Sequence, residues 1–327
     1  MAETKDMKNV PEIEQTYKIS SSPHIRDKET TGNLMGQVIV ALIPAAIMGV
    51  YNFGVKALLL YVITFASCVI FEACYQKLMG KKIVVSDLSA ALTGLLLAMN
   101  LPCDVPFWIP VLGSFFAIIV VKQLFGRLGQ NFMNPALGAR CFLLISFTGI
   151  MTSFSYDAVT MATPLADLKA GNRVDILSMF LGTIPGTVGE TCAFALIIGG
   201  VFLILRGVVN YRIPVYYIGS FSVFILLYSL LSGRGIDLAF LLAHLFGGGL
   251  MLGAFFMATD YVTSPITPNG KIIFGILLGL LTSLFRIFGG SAQGVSYAII
   301  IGNLLVPLID RVTVPKSFGK GVSKHES

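Results

Sequence analysis

The chain has 327 residues, of which 55% are hydrophobic and 12% charged, with a mean hydropathy of +0.82 and a formal net charge of +6. Soluble domains carry roughly 25% charged residues, so a water-exposed surface of ordinary composition is excluded. The positive balance does not point to nucleic acid, because the basic residues fall mostly in alternate connections between apolar runs, as membrane topology requires.

Residues 1–32 are polar and mixed in charge, and read as a short soluble arm rather than a cleaved secretory leader. Ten apolar spans follow, near 34–54, 57–79, 87–101, 107–125, 134–151, 190–206, 213–232, 236–258, 271–288 and 293–310. Residues 311–327 form a polar, basic tail. The predicted fold is all-α: a polytopic membrane protein of about ten helices. With the N-terminus cytoplasmic, seventeen Lys and Arg fall inside and five outside, Arg140 lying at the head of the fifth span. This bias puts both termini in the cytoplasm.

The third span is short and runs into Asn100-Leu101-Pro102, where proline stops a helix. The eighth ends in Ala258-Thr259-Asp260, with Pro265 and Pro268 beyond. Five spans precede the one long connection, residues 152–189, and five follow it. An odd number per half makes the halves, 33–151 and 190–310, an inverted repeat with broken third and eighth helices, which points to a polar site near the midplane.

Ionisable groups at membrane depth are costly and often functional. Asp87 and Asp260 border the two broken helices, where carboxylates and freed carbonyls attract Na⁺ or organise the fold. Glu72 and Lys122 lie near span ends and are expected to snorkel. His244 reads as a hydrogen-bonded structural residue. Glu190, preceded by Gly182, Gly186 and Gly189, sits at a helix start; it either complements the helix dipole or helps to pack a cofactor or guide a cation. The five cysteines show no C-x-x-C spacing, so no metal or iron–sulfur site is expected. No nucleotide-binding glycine motif or Ser/His/Asp constellation stands out.

The long connection, on the outer side by the charge count, contains Asp157-Ala158-Val159-Thr160-Met161-Ala162-Thr163-Pro164-Leu165. By chemistry alone this is a hydroxyl-rich turn with a carboxylate. It resembles the flavinylation motif of membrane redox subunits, in which a threonine hydroxyl is phosphoester-linked to FMN by a flavin transferase. Ser22-Pro23-His24, residues 131–136, residues 182–191, residues 256–265, Asn303 and residues 307–310 extend the resemblance along nearly the whole chain. The family is that of the D subunit of Rnf-type ferredoxin:NAD oxidoreductases, related to the B subunit of the sodium-pumping NADH:quinone oxidoreductase.

The resemblance implies covalent FMN on Thr163, with Asp157, Thr160, Ala162 and Glu190 around it. Met161 stands where the family commonly has glycine. It further implies an electron-relay subunit of a translocase in the cytoplasmic (inner) membrane of a bacterium or archaeon. That complex couples electron transfer from ferredoxin to NAD⁺ with export of Na⁺ or H⁺. The expected partners are Rnf subunits of the A, B, C, E and G types, the transferase and membrane lipid. A second, non-covalent flavin such as riboflavin is implied by the related pump. The rival reading is a cofactor-free urea- or ammonium-type channel or permease, which shares such architectures but has no use for the D-x-x-T-x-A-T motif.

Overall fold

The computed structural model describes residues 29–126, 129–156, 159–160, 163–169, 174–233, 235–289 and 294–315. Among these residues the regular elements are helices apart from two paired two-residue strands, β1 (Ser155–Tyr156) and β2 (Val159–Thr160). Among the described residues five helices are long and apolar enough to cross a membrane: α1 (Thr31–Phe53), α2 (Val55–Leu78), α9 (Arg212–Leu231), α12 (Pro268–Phe288) and α13 (Val295–Thr313). Four shorter apolar helices are α3 (Ser89–Met99), α4 (Trp108–Gln123), α5 (Pro135–Ser146) and α8 (Ala193–Leu205). The connection between α5 and α8 holds, among the described residues, three short helices: a turn at Thr148–Met151, α6 (Pro164–Lys169) and α7 (Ile176–Leu181).

The eighth predicted span is two pieces, α10 (Leu238–Phe246) and α11 (Leu250–Met257), bent by 61°. The bend falls at Gly247-Gly248-Gly249, which interrupts the helical hydrogen-bond ladder. Gly249 adopts φ 68°, and a Cβ there would lie 2.2 Å from Glu190 Oε2, so the position demands glycine. The third predicted span is only the eleven residues of α3, about 16 Å long at the helical rise, against a hydrocarbon core of ~30 Å. Beyond α3 the chain is non-helical, and Leu101 O accepts from Val188 N at 3.1 Å.

Local signals set the helix starts. Asn134 accepts hydrogen bonds from Ala136 N and Leu137 N at the head of α5, with Pro135 in the first turn where its missing N–H costs nothing. Thr267 and Pro268 repeat the device at α12. The main core runs through most of these helices, including Leu42, Leu97, Met99, Leu137, Tyr217, Phe221 and Phe274. α1 packs on α8, α2 on α3 and α4, α9 on α12, and α5 on α13. Large apolar side chains such as Ile47, Leu58, Ile70, Leu205 and Leu231 face outward, as a surface solvated by lipid allows.

Candidate functional site

Two cavities lie at opposite ends of α1. The first is lined by Leu34, Met35 and Val38 from the first turns of α1, with Ser89, Thr93, Lys122, Asn131, Asn134, Phe256 and Asp260. The second is a narrow cleft formed by Thr163, Pro164, Leu165, residues 184–186, Glu190, Thr191, Gly247 and Gly248. Its wall is tied to the last turn of α1, where Asn52 Nδ2 donates to Gly182 O at 2.7 Å and approaches Thr191 Oγ1 at 3.5 Å.

The cleft unites Thr163 and Glu190, 27 positions apart in the sequence. Thr163 is half-buried at the head of α6, its carbonyl accepting from Ala166 N and Asp167 N. Thr160 lies in β2; Asp157 and Ala162 fall outside the described residues. Glu190 is buried, and its Oε2 lies 3.9 Å from the guanidinium of Arg140.

At the far cavity, Asp87 and Asp260 do not meet as a pair. Asp87 accepts from Ser89 N at 3.0 Å and Ser89 Oγ at 2.8 Å, while Asp260 is half-buried in the wall and accepts from Thr263 Oγ1 at 3.2 Å. Among the described residues no cluster of three or more metal-ligating side chains occurs.

Sequence reasoning missed three arrangements. Glu72 and Lys122 do not snorkel: they are 2% and 1% exposed and pair with each other, Lys122 Nζ lying 2.7 and 2.9 Å from the two carboxylate oxygens. Lys122 also donates to Ser89 Oγ at 2.6 Å, and Gln76 and Gln123 donate to Glu72 Oε1. Such pairing removes the reason for either chain to reach for water.

Arg286, one of the five Lys and Arg that the charge count puts outside, is instead 1% exposed. Its guanidinium donates to the carbonyls of His244, Gly247 and Gly248, and sits 5.1 Å from the Phe221 ring centroid. It therefore satisfies the carbonyls freed at the bend, at the negative end of α10. The glycine run is the signal that marks this break. His244 has its ring at 4.5 Å from Phe240, in keeping with a structural role.

The third arrangement is a buried line between the cavities. Asn100 Nδ2 donates to Leu96 O at 2.6 Å, Asn100 Oδ1 accepts from Arg140, and Arg140 faces Glu190. Gly189 comes so close to the end of α3 that a Cβ would lie 2.2 Å from that of Met99, and Gly189 N donates to Met99 O at 2.9 Å.

The profile of the NQR2, RnfD, RnfE family matches residues 18–319. The chain belongs to this family. It is 48% identical over 318 residues to the D subunit of the Na(+)-translocating ferredoxin:NAD(+) oxidoreductase complex of Acetobacterium woodii, covering 94% of this chain and 97% of that protein. It is 43% identical to the D subunit of the proton-translocating ferredoxin:NAD(+) oxidoreductase complex of Clostridium ljungdahlii, over 98% of this chain and 99% of that one. The D subunit of the ion-translocating oxidoreductase complex of Actinobacillus succinogenes is 36% identical, with 94% and 99% covered. Family membership thus agrees with the resemblance carried by the sequence motifs.

Proposed function

We propose that this chain is the D subunit of an Rnf-type complex, a membrane electron relay carrying FMN as a phosphoester on Thr163. The observation that carries the reading is the loop cleft, in which the Thr163 hydroxyl position, Glu190 and the glycine-lined break of α10 and α11 converge. The residues present suit such a group. Thr163 lies outside the apolar helices, where a transferase can reach it, and Thr191 with the backbone of residues 184–186 lines the wall beside it.

When bound, FMN supplies one- and two-electron redox chemistry. The protein's part is to fix and tune it. The ester to Thr163 retains the cofactor at an outward-facing site, and the Glu190–Arg140 pair sets a local field of nearly balanced charge. A second, non-covalent flavin such as riboflavin belongs to the same proposal, with the amides of Asn131 and Asn134 and the hydroxyl of Thr93, in the wall of the first pocket, as its hydrogen-bonding groups.

The ten-span inverted repeat belongs to the same proposal. Each half packs its second helix on its fourth, α2 on α4 and α9 on α12, and the halves meet first to first, α1 on α8, and last to last, α5 on α13. The short α3 and the bent α10–α11 stand at third position in each. In this reading both termini lie in the cytoplasm and the loop cleft outside, as the lysine and arginine bias supports. The other Rnf subunits, a flavin transferase and lipid are the partners this implies. Relatives named for Na⁺ and for protons are almost equally similar, so overall identity does not select the coupling ion. The channel alternative is disfavoured by the packed region between the cavities, where Met99, Leu101 and Met257 are buried.

The test is co-expression of the chain with a flavin transferase, followed by a denaturing gel viewed under ultraviolet light. The wild-type band fluoresces and Thr163→Ala is dark. A dark wild-type band beside an active transferase removes the flavin, and a fluorescent Thr163→Ala band moves the ester elsewhere.

A further inference from the structure

α9 and α12 run side by side in the same direction. Tyr217 Oη and Thr282 Oγ1 share a hydrogen bond of 2.6 Å, and towards both C-termini the ring centroids of Tyr228 and Phe288 lie 6.2 Å apart. The two helices therefore end at the same membrane face. Gly279 permits their approach, since a Cβ there would strike Ser220 and the backbone of α9. On the outward side the seam leaves an apolar groove, lined by Tyr216, Gly219, Val223 and Leu227 of α9 and by Ile276 and Leu280 of α12, all of them exposed. Gly219 keeps it open, for a Cβ at that position would meet nothing within 4 Å.

At the C-terminal end of the same two helices lies a pocket of opposite character. It is lined by Tyr228 of α9, Arg286 and Ile287 of α12, Phe240 of α10 and Lys169 at the end of α6, and by no acidic residue among those described. Lys169 Nζ donates to Gly289 O at 2.7 Å, which leaves two of its three protons for another acceptor. Burial pushes this ammonium below its ordinary range, and no carboxylate acts to raise it again. Arg286 is buried, and its Nε has no hydrogen-bond partner among the described residues. Two cations and a phenol without a counter-ion in the wall are the groups that hold a phosphate.

Pocket and groove adjoin. Leu227 of the groove precedes Tyr228 of the pocket, and Ile276, Leu280 and Ile287 fall on one stripe of α12 at i, i+4 and i+11. From Ile287 to Ile276 is about 16 Å at the helical rise, close to one leaflet of a hydrocarbon core ~30 Å thick.

We infer that this is a site for one anionic phospholipid: Lys169, Arg286 and the Tyr228 hydroxyl take its phosphate, and an acyl chain lies in the groove between α9 and α12. The head carries the selectivity, because a chain that leaves bulk lipid for the groove gains only packing. A zwitterionic head would bring its own cation beside Lys169 and Arg286, and is disfavoured. In the orientation proposed above the lipid belongs to the outer leaflet, but the site needs only the two parallel helices and is independent of the flavin on Thr163.

Native mass spectrometry of the full-length chain in detergent tests it, with dioleoylphosphatidylglycerol and dioleoylphosphatidylcholine as probes. The wild type retains one phosphatidylglycerol and binds phosphatidylcholine more weakly. sn-Glycerol 3-phosphate, a head without chains, does not displace the lipid at equal concentration. Lys169→Gln weakens phosphatidylglycerol binding by about fivefold, the effect of one basic side chain at a membrane surface, and leaves phosphatidylcholine unchanged. Gly219→Leu fills the groove and weakens binding by roughly fivefold, through the loss of on the order of ten close atomic contacts. Equal affinity for the two lipids overturns the proposal, as does wild-type binding by Lys169→Gln. Displacement by glycerol phosphate overturns it in favour of a free-phosphate site. Wild-type binding by Gly219→Leu overturns it as well, and if that variant no longer co-purifies with the other subunits the groove belongs to a neighbouring helix.

Discussion

Lys122 closes α4 and Arg286 closes α12, and each is about 1% exposed, yet the two are neutralised by different means. Lys122 faces a full opposite charge, Glu72, on α2. Arg286 faces no carboxylate at hydrogen-bonding distance among the described residues; it takes three carbonyls at the break between α10 and α11. A point charge suits the first partner, because an ammonium meets both oxygens of one carboxylate. A planar fork suits the second, because the carbonyls of His244, Gly247 and Gly248 are spread around a bend. The difference teaches that a buried cation can be stabilised by a counter-ion or by aligned backbone dipoles, and that the choice follows whether the neighbouring helix is whole or broken.

This contrast can be broken from either side. The largest effect is expected at the ion pair: Glu72→Gln leaves Lys122 charged and buried, at a cost of about 3–5 kcal/mol. Thermal unfolding in detergent measures it, and joint replacement of Glu72 and Lys122 by Gln and Met recovers most of the loss. If Glu72→Gln alone unfolds like wild type, the two cations are not distinguished by their partners. Arg286→Lys keeps the charge but not the fork, and an expected loss of about 1.5–3 kcal/mol follows from hydrogen bonds to a charged group that are left unmade. Lys122→Arg in the same assay is the control, since only the site at the bend depends on guanidinium geometry. Gly249→Ala comes next, at about 1–2 kcal/mol for an alanine forced into the left-handed region, with a further penalty from Glu190 Oε2 at 2.2 Å. An alanine there without effect would mean that the bend is not held as described.

The sequence makes the apolar segments legible because composition and length suffice for them. All ten predicted spans contain a helix, and the end at Pro102 follows from a residue that cannot sustain one; the eighth span was expected to run unbroken to Asp260, whereas it breaks at Gly247–Gly249. Thr163 and Glu190 were both visible as motif residues. Their proximity was implied only by the resemblance; the hydrogen bonds that tie Val188 and Gly189, next to Glu190, to the end of α3 were not legible. The Glu72–Lys122 pair was invisible for a sharper reason. The partners are fifty residues apart on separate helices, and hydropathy gives the extent of each helix but neither its rotation nor its neighbour. Asn100 and Arg140 suffer the same limit, with forty residues between them. Arg286 was misplaced because a charge near the end of an apolar run looks like a loop residue when the carbonyls awaiting it are not known.

The bend at Gly247–Gly249 has a consequence for how the chain is made. Neither α10, with nine residues, nor α11, with eight, is long enough to settle in a bilayer separately. They must enter as one apolar unit before the guanidinium that satisfies their carbonyls exists, because Arg286 follows Gly247 by 39 residues. At ribosomal rates of ~5–20 residues per second that interval lasts several seconds. During it the segment's open carbonyls must be bonded by water or by a straighter helix. The bent form is therefore a late product of biogenesis, installed by the arrival of α12, and a nascent chain truncated before Arg286 would carry an unfinished version of the wall beside Thr163.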